Sequence, residues 1–174
     1  GDVKLNPITG QALEGTRPLR RLELHAARNE VCAFQIAIGF ARPFAGASIG
    51  LSDLRGPGGA TIPRSAARWF LQWPVRIGQR WYPDYAVPVS GPICAPWPRG
   101  RVPNQRFLLL WCDLYVPKNI PPGLYMGQVV FRCGAVQLAL PVRLHVHRFT
   151  MPDQTSFEVN LNCYGPVYSD ADYE

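Results

Sequence analysis

The stretch VQLALPVRLHV, residues 136–146, puts an apolar residue at every even position: Val136, Leu138, Leu140, Val142, Leu144 and Val146. Gln137, Arg143 and His145 stand on the odd phase, and His147 continues it. A period of two is that of a strand with one face in a core and one in water. Val31 to Phe40 repeats the pattern, with Cys32, Phe34, Ile36, Ile38 and Phe40 on one face and Ala33, Gln35, Ala37 and Gly39 on the other. So does Leu108 to Val116, through Leu108, Leu110, Cys112, Leu114 and Val116. Ala67 to Ile77 makes a fourth strand, with Ala67, Trp69, Leu71, Trp73, Val75 and Ile77 inward. Pro74 argues for a sheet edge there, because proline cannot donate to a ladder. Shorter strands are expected at Leu19 to His25, Ser48 to Leu54 and Tyr125 to Arg132, and Pro141 is expected to bend its strand or move it between sheets.

No helical period interrupts these segments; the breaks are Gly/Pro turns such as GPGGA at 56–60 and PKNIPPG at 117–123. About seven short strands of this kind predict an all-β fold, an antiparallel β-sandwich of Greek-key, immunoglobulin-like type, with an open barrel as the alternative. Composition agrees. Charged residues make up 17% and hydrophobic ones 47%, so the 174-residue chain can bury a substantial core and is not intrinsically disordered. No apolar run reaches the ~18 residues that span a bilayer, so no membrane partner is expected. The net charge of +6 comes from scattered arginines without a block of like charge, which gives nucleic acid little to bind. Five cysteines without CxxC spacing indicate neither a zinc site nor a full disulfide framework.

Two segments depart from the alternation. Gly78 to Pro103 holds Trp81, Tyr82, Tyr85 and Trp97 among six prolines, and reads as a long loop whose aromatics serve a domain interface or a carbohydrate. After Pro152, Phe157, Val159, Leu161 and Cys163 alternate with Glu158, Asn160, Asn162 and Tyr164, as if a new strand begins.

Three segments together resemble a known family. NEVCAFQIAIGF at 29–40, SDLRGPGGATIP at 52–63 and VPKNIPPGLYMGQVVF at 116–131 are similar, in order and spacing, to the N-terminal β-sandwich of family 123 glycoside hydrolases and related glycosidases. The most specific part is the PxxxPxGxYxG pattern of Pro117 to Gly127. The resemblance implies a sandwich over 1–152, then RFTMPD as linker and FEVNLNCYG as the first strand of a catalytic (β/α)-barrel, the segment 153–174 being all of that barrel that is present. It implies a β-N-acetylhexosaminidase-like parent, secreted or periplasmic, whose adjacent Asp-Glu pair lies in the barrel and whose substrate's acetamido group is the nucleophile. This chain contains no Asp-Glu pair. What the resemblance implies is therefore a non-catalytic accessory domain, with the barrel of its own parent protein as partner, carbohydrate as a further candidate partner, and no cofactor. A free-standing carbohydrate-binding or adhesion module is the alternative.

Asn160, Asn162 and Tyr164 would fall at the C-terminal end of that first barrel strand, where substrate groups gather, and are the candidate substrate-binding residues. No catalytic residue is expected within the chain, because Glu23, Glu30, Asp53, Asp84 and Asp113 are isolated, and paired-carboxylate hydrolysis needs two groups ~5–9.5 Å apart. His145 and His147 have the i, i+2 spacing of metal ligands but only Arg143 and Gln137 as neighbours on their strand face, so no metal is expected. Cys32, Cys112 and Cys133 fall on inward phases and should act as small hydrophobes.

Overall fold

The computed structural model describes residues 6–10, 20–98 and 101–154. Eleven strands are found there: β1 (Leu22–Arg28), β2 (Glu30–Gly39), β3 (Phe44–Leu51), β4 (Leu54–Arg55), β5 (Thr61–Ile62), β6 (Ala67–Ile77), β7 (Arg80–Pro88), β8 (Ile93–Ala95), β9 (Phe107–Val116), β10 (Gly123–Cys133) and β11 (Val136–Thr150). One sheet runs β1-β11-β10-β3-β8, with β4 and β5 attached beside β10; the other runs β2-β9-β6-β7. Among the described residues no strand of one sheet pairs with the other, so the fold is a sandwich and not a barrel. β1 lies parallel to β11, whereas β10 and β11 form a long antiparallel hairpin.

The core follows from the alternation. Leu24, Val142, Leu144 and Val146 of one sheet meet Phe34, Cys112, Leu114 and Val116 of the other, around Tyr125, Leu54 and Ile62. A second cluster of Ile38, Leu71, Leu108, Leu110, Ile93 and Phe131 continues it. Each fully buried leucine here contributes ~1.5–3 kcal/mol. The turn motif has a packing reason as well as a conformational one. Gly123 adopts φ +140, and a Cβ on Gly127 would stand 2.5 Å from the Leu54 side chain. The Tyr125 ring is fully buried, and its hydroxyl donates to the Pro121 carbonyl at 2.8 Å, which closes the 117–123 turn onto the core.

Several expectations need correction. Pro74 does not mark an edge: β6 lies between β9 and β7. It is tolerated because pairing with β9 ends at Leu71, and because the β6–β7 ladder carries a bulge between Gln72 and Pro74. Beyond that bulge the expected inward phase fails, so Pro74 is buried while Ile77 is 65% exposed. The stretch 78–103 is not a loop throughout, since it holds β7 and β8. Its alternation is hidden by prolines that an edge strand accommodates and by the same bulge. Pro141 neither bends nor redirects its strand. The β10–β11 register is unbroken from Gly123↔Val146 to Cys133↔Val136, and β1 begins only opposite Val142, so the proline sits where the β1 ladder has ended.

Candidate functional site

The four aromatics singled out from the sequence are not gathered in one place. Trp81 stands opposite Arg76 and Tyr82 opposite Val75 on the β6–β7 hairpin, so these two rings point to opposite faces. Tyr85 falls in the bulge and is 39% exposed. Trp97 is half-buried against the second core cluster. Its ring meets Trp73 edge-on at 5.3 Å, Arg101 caps the other partner of that pair, with its guanidinium 5.0 Å from the Trp73 ring centre, and the Gln105 amide bonds both the N–H and the carbonyl of Trp97. Asn160, Asn162 and Tyr164 lie outside the described residues.

The parallel pairing of β1 with β11 gathers all three histidines of the chain on one outer face. His25 stacks on His145 at 4.8 Å and on His147 at 5.7 Å, and Phe149 extends the row. Glu23, opposite Arg143, lies 3.6 Å from the His145 Nε2 and bonds Arg21. Stacked rings do not converge their nitrogens, and among the described residues no three His, Cys, Asp or Glu side chains are arranged to hold a metal.

Cys32 and Cys112 are held as thiols. Burial, with the Glu30 charge behind it, pushes Cys32 up to about 11; burial, then Asp113 and Cys32, raises Cys112 well above the ordinary thiol range.

Sequence reasoning missed two groupings. The first is where β11 ends. Asn29, in the left-handed region at φ +61, turns the chain from β1 into β2. Its amide nitrogen donates to the Met151 carbonyl at 3.0 Å and to Asp153 Oδ1 at 2.9 Å, while its oxygen accepts from the Tyr115 hydroxyl at 2.9 Å. Lys118 closes on the other Asp153 oxygen at 2.5 Å. This hydrogen bond and charge, aided by Asn29, hold the Asp153 carboxyl below the usual range. The Met151 N–H bonds the Arg28 carbonyl at 2.8 Å, so the direction in which the chain leaves the sandwich is fixed at five points.

The second is the outer face of the four-stranded sheet. Here Gln35, Trp111, Phe70 and Pro88 form a row across all four strands, with Ala33, Asp113 and Arg68 in the next row. The signal was present: Leu109, Trp111 and Tyr115 are large apolar or aromatic residues on the phase of β9 that should be polar.

No protein-family model matches the chain, and no curated protein does. Among solved structures, a family 123 glycoside hydrolase from Clostridium perfringens, studied for glycolipid glycan hydrolysis, shares the fold with a TM-score of 0.65 and 14% identity. The match covers 77% of this chain and 24% of that enzyme, so the chain spans about a quarter of the enzyme's length. More remote are the CooA pilin subunit from enterotoxigenic Escherichia coli, with a TM-score of 0.37 and 8% identity over 87% of this chain and 100% of that one, and the C-terminal domain of the Streptococcus agalactiae AgI/II polypeptide BspA, with 0.29 and 11% over 83% and 49%. At such identities a likeness is one of fold, and the sandwich expected from the sequence resemblance is the fold found.

Proposed function

We propose that this chain is the non-catalytic accessory β-sandwich of a glycoside hydrolase, β-N-acetylhexosaminidase-like, which supports a catalytic barrel following it in the same polypeptide. The observation that carries this reading is the fold likeness to a family 123 enzyme of which the chain covers 24%. The five-point fixation at Asn29 and Asp153 supports it, because a domain that must hold another at a set angle gains from an exit direction that cannot swing. In this reading 1–152 is the sandwich and 153–174 the linker and first barrel strand. Asn160, Asn162 and Tyr164 then contact substrate in the full-length protein, and Trp81, Tyr82 and Tyr85 serve as interface or sugar contacts. Trp97, packed edge-on against Trp73, is read with them.

The test is the coding sequence downstream of Glu174. It is expected to alternate strands and helices and to place an adjacent Asp-Glu pair at the end of a later strand. A downstream sequence without such a pair, or none at all, would refute the proposal.

A further inference from the structure

The outer face of the β2-β9-β6-β7 sheet carries side chains that neither core cluster uses. Trp111 is half-buried between Gln35 on β2 and Phe70 on β6. Its indole N–H is already donated to Asp113 Oδ1 at 2.7 Å, which leaves the ring to offer its face. Gln35 Nε2 donates to Gln72 Oε1, so two glutamines two strands apart bridge over β9 beside Leu109. Leu109, on the same outward phase, is only 3% exposed, and at the end of the face Gly10 packs on the Phe107 ring. Each amide keeps unused capacity toward solvent: the oxygen of Gln35 and the nitrogen of Gln72. Ala33 and Ala37 on the flanking strand are small, so nothing there overtops the Trp111 ring. Asp113 lies directly opposite Arg68, and their charges cancel across the face.

We propose that this face binds a neutral oligosaccharide. A sugar ring has an apolar C–H face and a rim of hydroxyls that both donate and accept. It is matched by an aromatic face beside planar amides and a carboxylate. A polyanion needs several unbalanced cations, whereas here one arginine is matched by one carboxylate. A protein partner would have to bury Gln35, Gln72, Asp113 and Arg68 near the centre of its contact, where charged groups are depleted and every unmatched polar atom costs ~1–3 kcal/mol. Hydroxyls meet those atoms without a fixed pattern. The row Gln35–Trp111–Phe70–Pro88 spans four strands, ~14 Å at sheet spacing, enough for a short oligosaccharide. This inference stands apart from the accessory-domain reading, since it uses only residues between Glu30 and Val116.

The experiment is calorimetric titration of the 174-residue chain with chitohexaose, cellohexaose, laminarihexaose, maltohexaose and mannohexaose at concentrations up to ~10 mM, where even a weak site of a few kcal/mol is populated. At least one should bind. Gln35→Ala/Gln72→Ala should weaken that binding ~10-fold or more, Trp111→Ala should abolish it, and Leu138→Ala, at an exposed position of β11 in the other sheet, should stay within about twofold of wild type. If none of the five binds, the inference is overturned. Binding that survives the Gln35/Gln72 double substitution, or that is lost in Leu138→Ala instead, overturns it equally, as does a single-stranded RNA or a second copy of the chain protecting Trp111 when the sugars do not.

Discussion

Replacing Asn29 separates two costs that are combined at the exit of the sandwich. The residue sits at φ +61, where an ordinary side chain loses ~1 kcal/mol and glycine loses nothing. Its side chain also bonds the Met151 carbonyl and the Tyr115 hydroxyl. At ~0.5–1 kcal/mol for each bond in so exposed a place, these contribute ~1–2 kcal/mol; the bond to the fully exposed Asp153 is left out of the sum. Asn29→Gly removes the bonds and keeps the conformation, so it should cost ~1–2 kcal/mol. Asn29→Ala removes the bonds and strains the backbone, so it should cost ~1 kcal/mol more. Urea unfolding followed by tryptophan fluorescence reads both. With a slope of ~1–3 kcal/mol/M, the glycine variant should lose roughly 0.5–1 M in midpoint and the alanine variant roughly half as much again. A glycine variant as stable as wild type would show that the exit is not held by this side chain. An alanine variant no worse than the glycine one would show that the positive φ is not imposed.

Other outcomes follow from single contacts. Gly127→Ala must push its Cβ against Leu54 and Ser52 at 2.5 and 2.7 Å, and should destabilise by ~1–3 kcal/mol, read as a lower Tm. Tyr125→Phe leaves the Pro121 carbonyl without its partner and should cost ~1 kcal/mol by the same measurement. Cys32 and Cys112 should react slowly with a thiol reagent at pH 8 in the folded chain and rapidly in urea, because burial disfavours both thiolates; fast labelling without denaturant would place the β2 and β9 phases one residue off. The Asp153 carboxyl is held low, so its stabilising effect is complete above the ordinary carboxylate pKa and fades as pH falls through the lowered value; an NMR titration of its side-chain carbon should show Lys118→Met moving that midpoint upward.

The sandwich was legible because its core strands obey period two over most of their length: Leu108, Leu110, Cys112, Leu114 and Val116 are all at most 1% exposed, although Leu109 is buried on the outward phase and Val136 and Leu138, at the hairpin end of β11, are 56% and 54% exposed. What misled the reading was proline. Whether a missing N–H is costly depends on whether a neighbouring strand stands on that side at that residue, and pairing ranges are not written locally. Pro74 and Pro141 both sit where one ladder has stopped. The β6–β7 bulge had the same effect on phase, turning Ile77 outward and concealing β7. The outer-face row was half legible: Leu109, Trp111 and Tyr115 stand on the phase of β9 that should be polar, but only the register of β2 and β6 on β9 brings Gln35, Phe70 and Gln72 beside Trp111. The exit contacts likewise join residues more than 120 positions apart in Asn29 and Asp153.

The central proposal is that the sandwich of residues 1–152 supports a hydrolytic reaction and does not perform one. It is tested most directly by assaying aryl N-acetyl-β-hexosaminide hydrolysis with the purified 174-residue chain beside a longer polypeptide that includes whatever its gene encodes after Glu174. The account predicts release of the aryl group by the longer polypeptide, and none by the 174-residue chain above a heat-killed control. Turnover by the short chain, or inactivity of the long one, would contradict it.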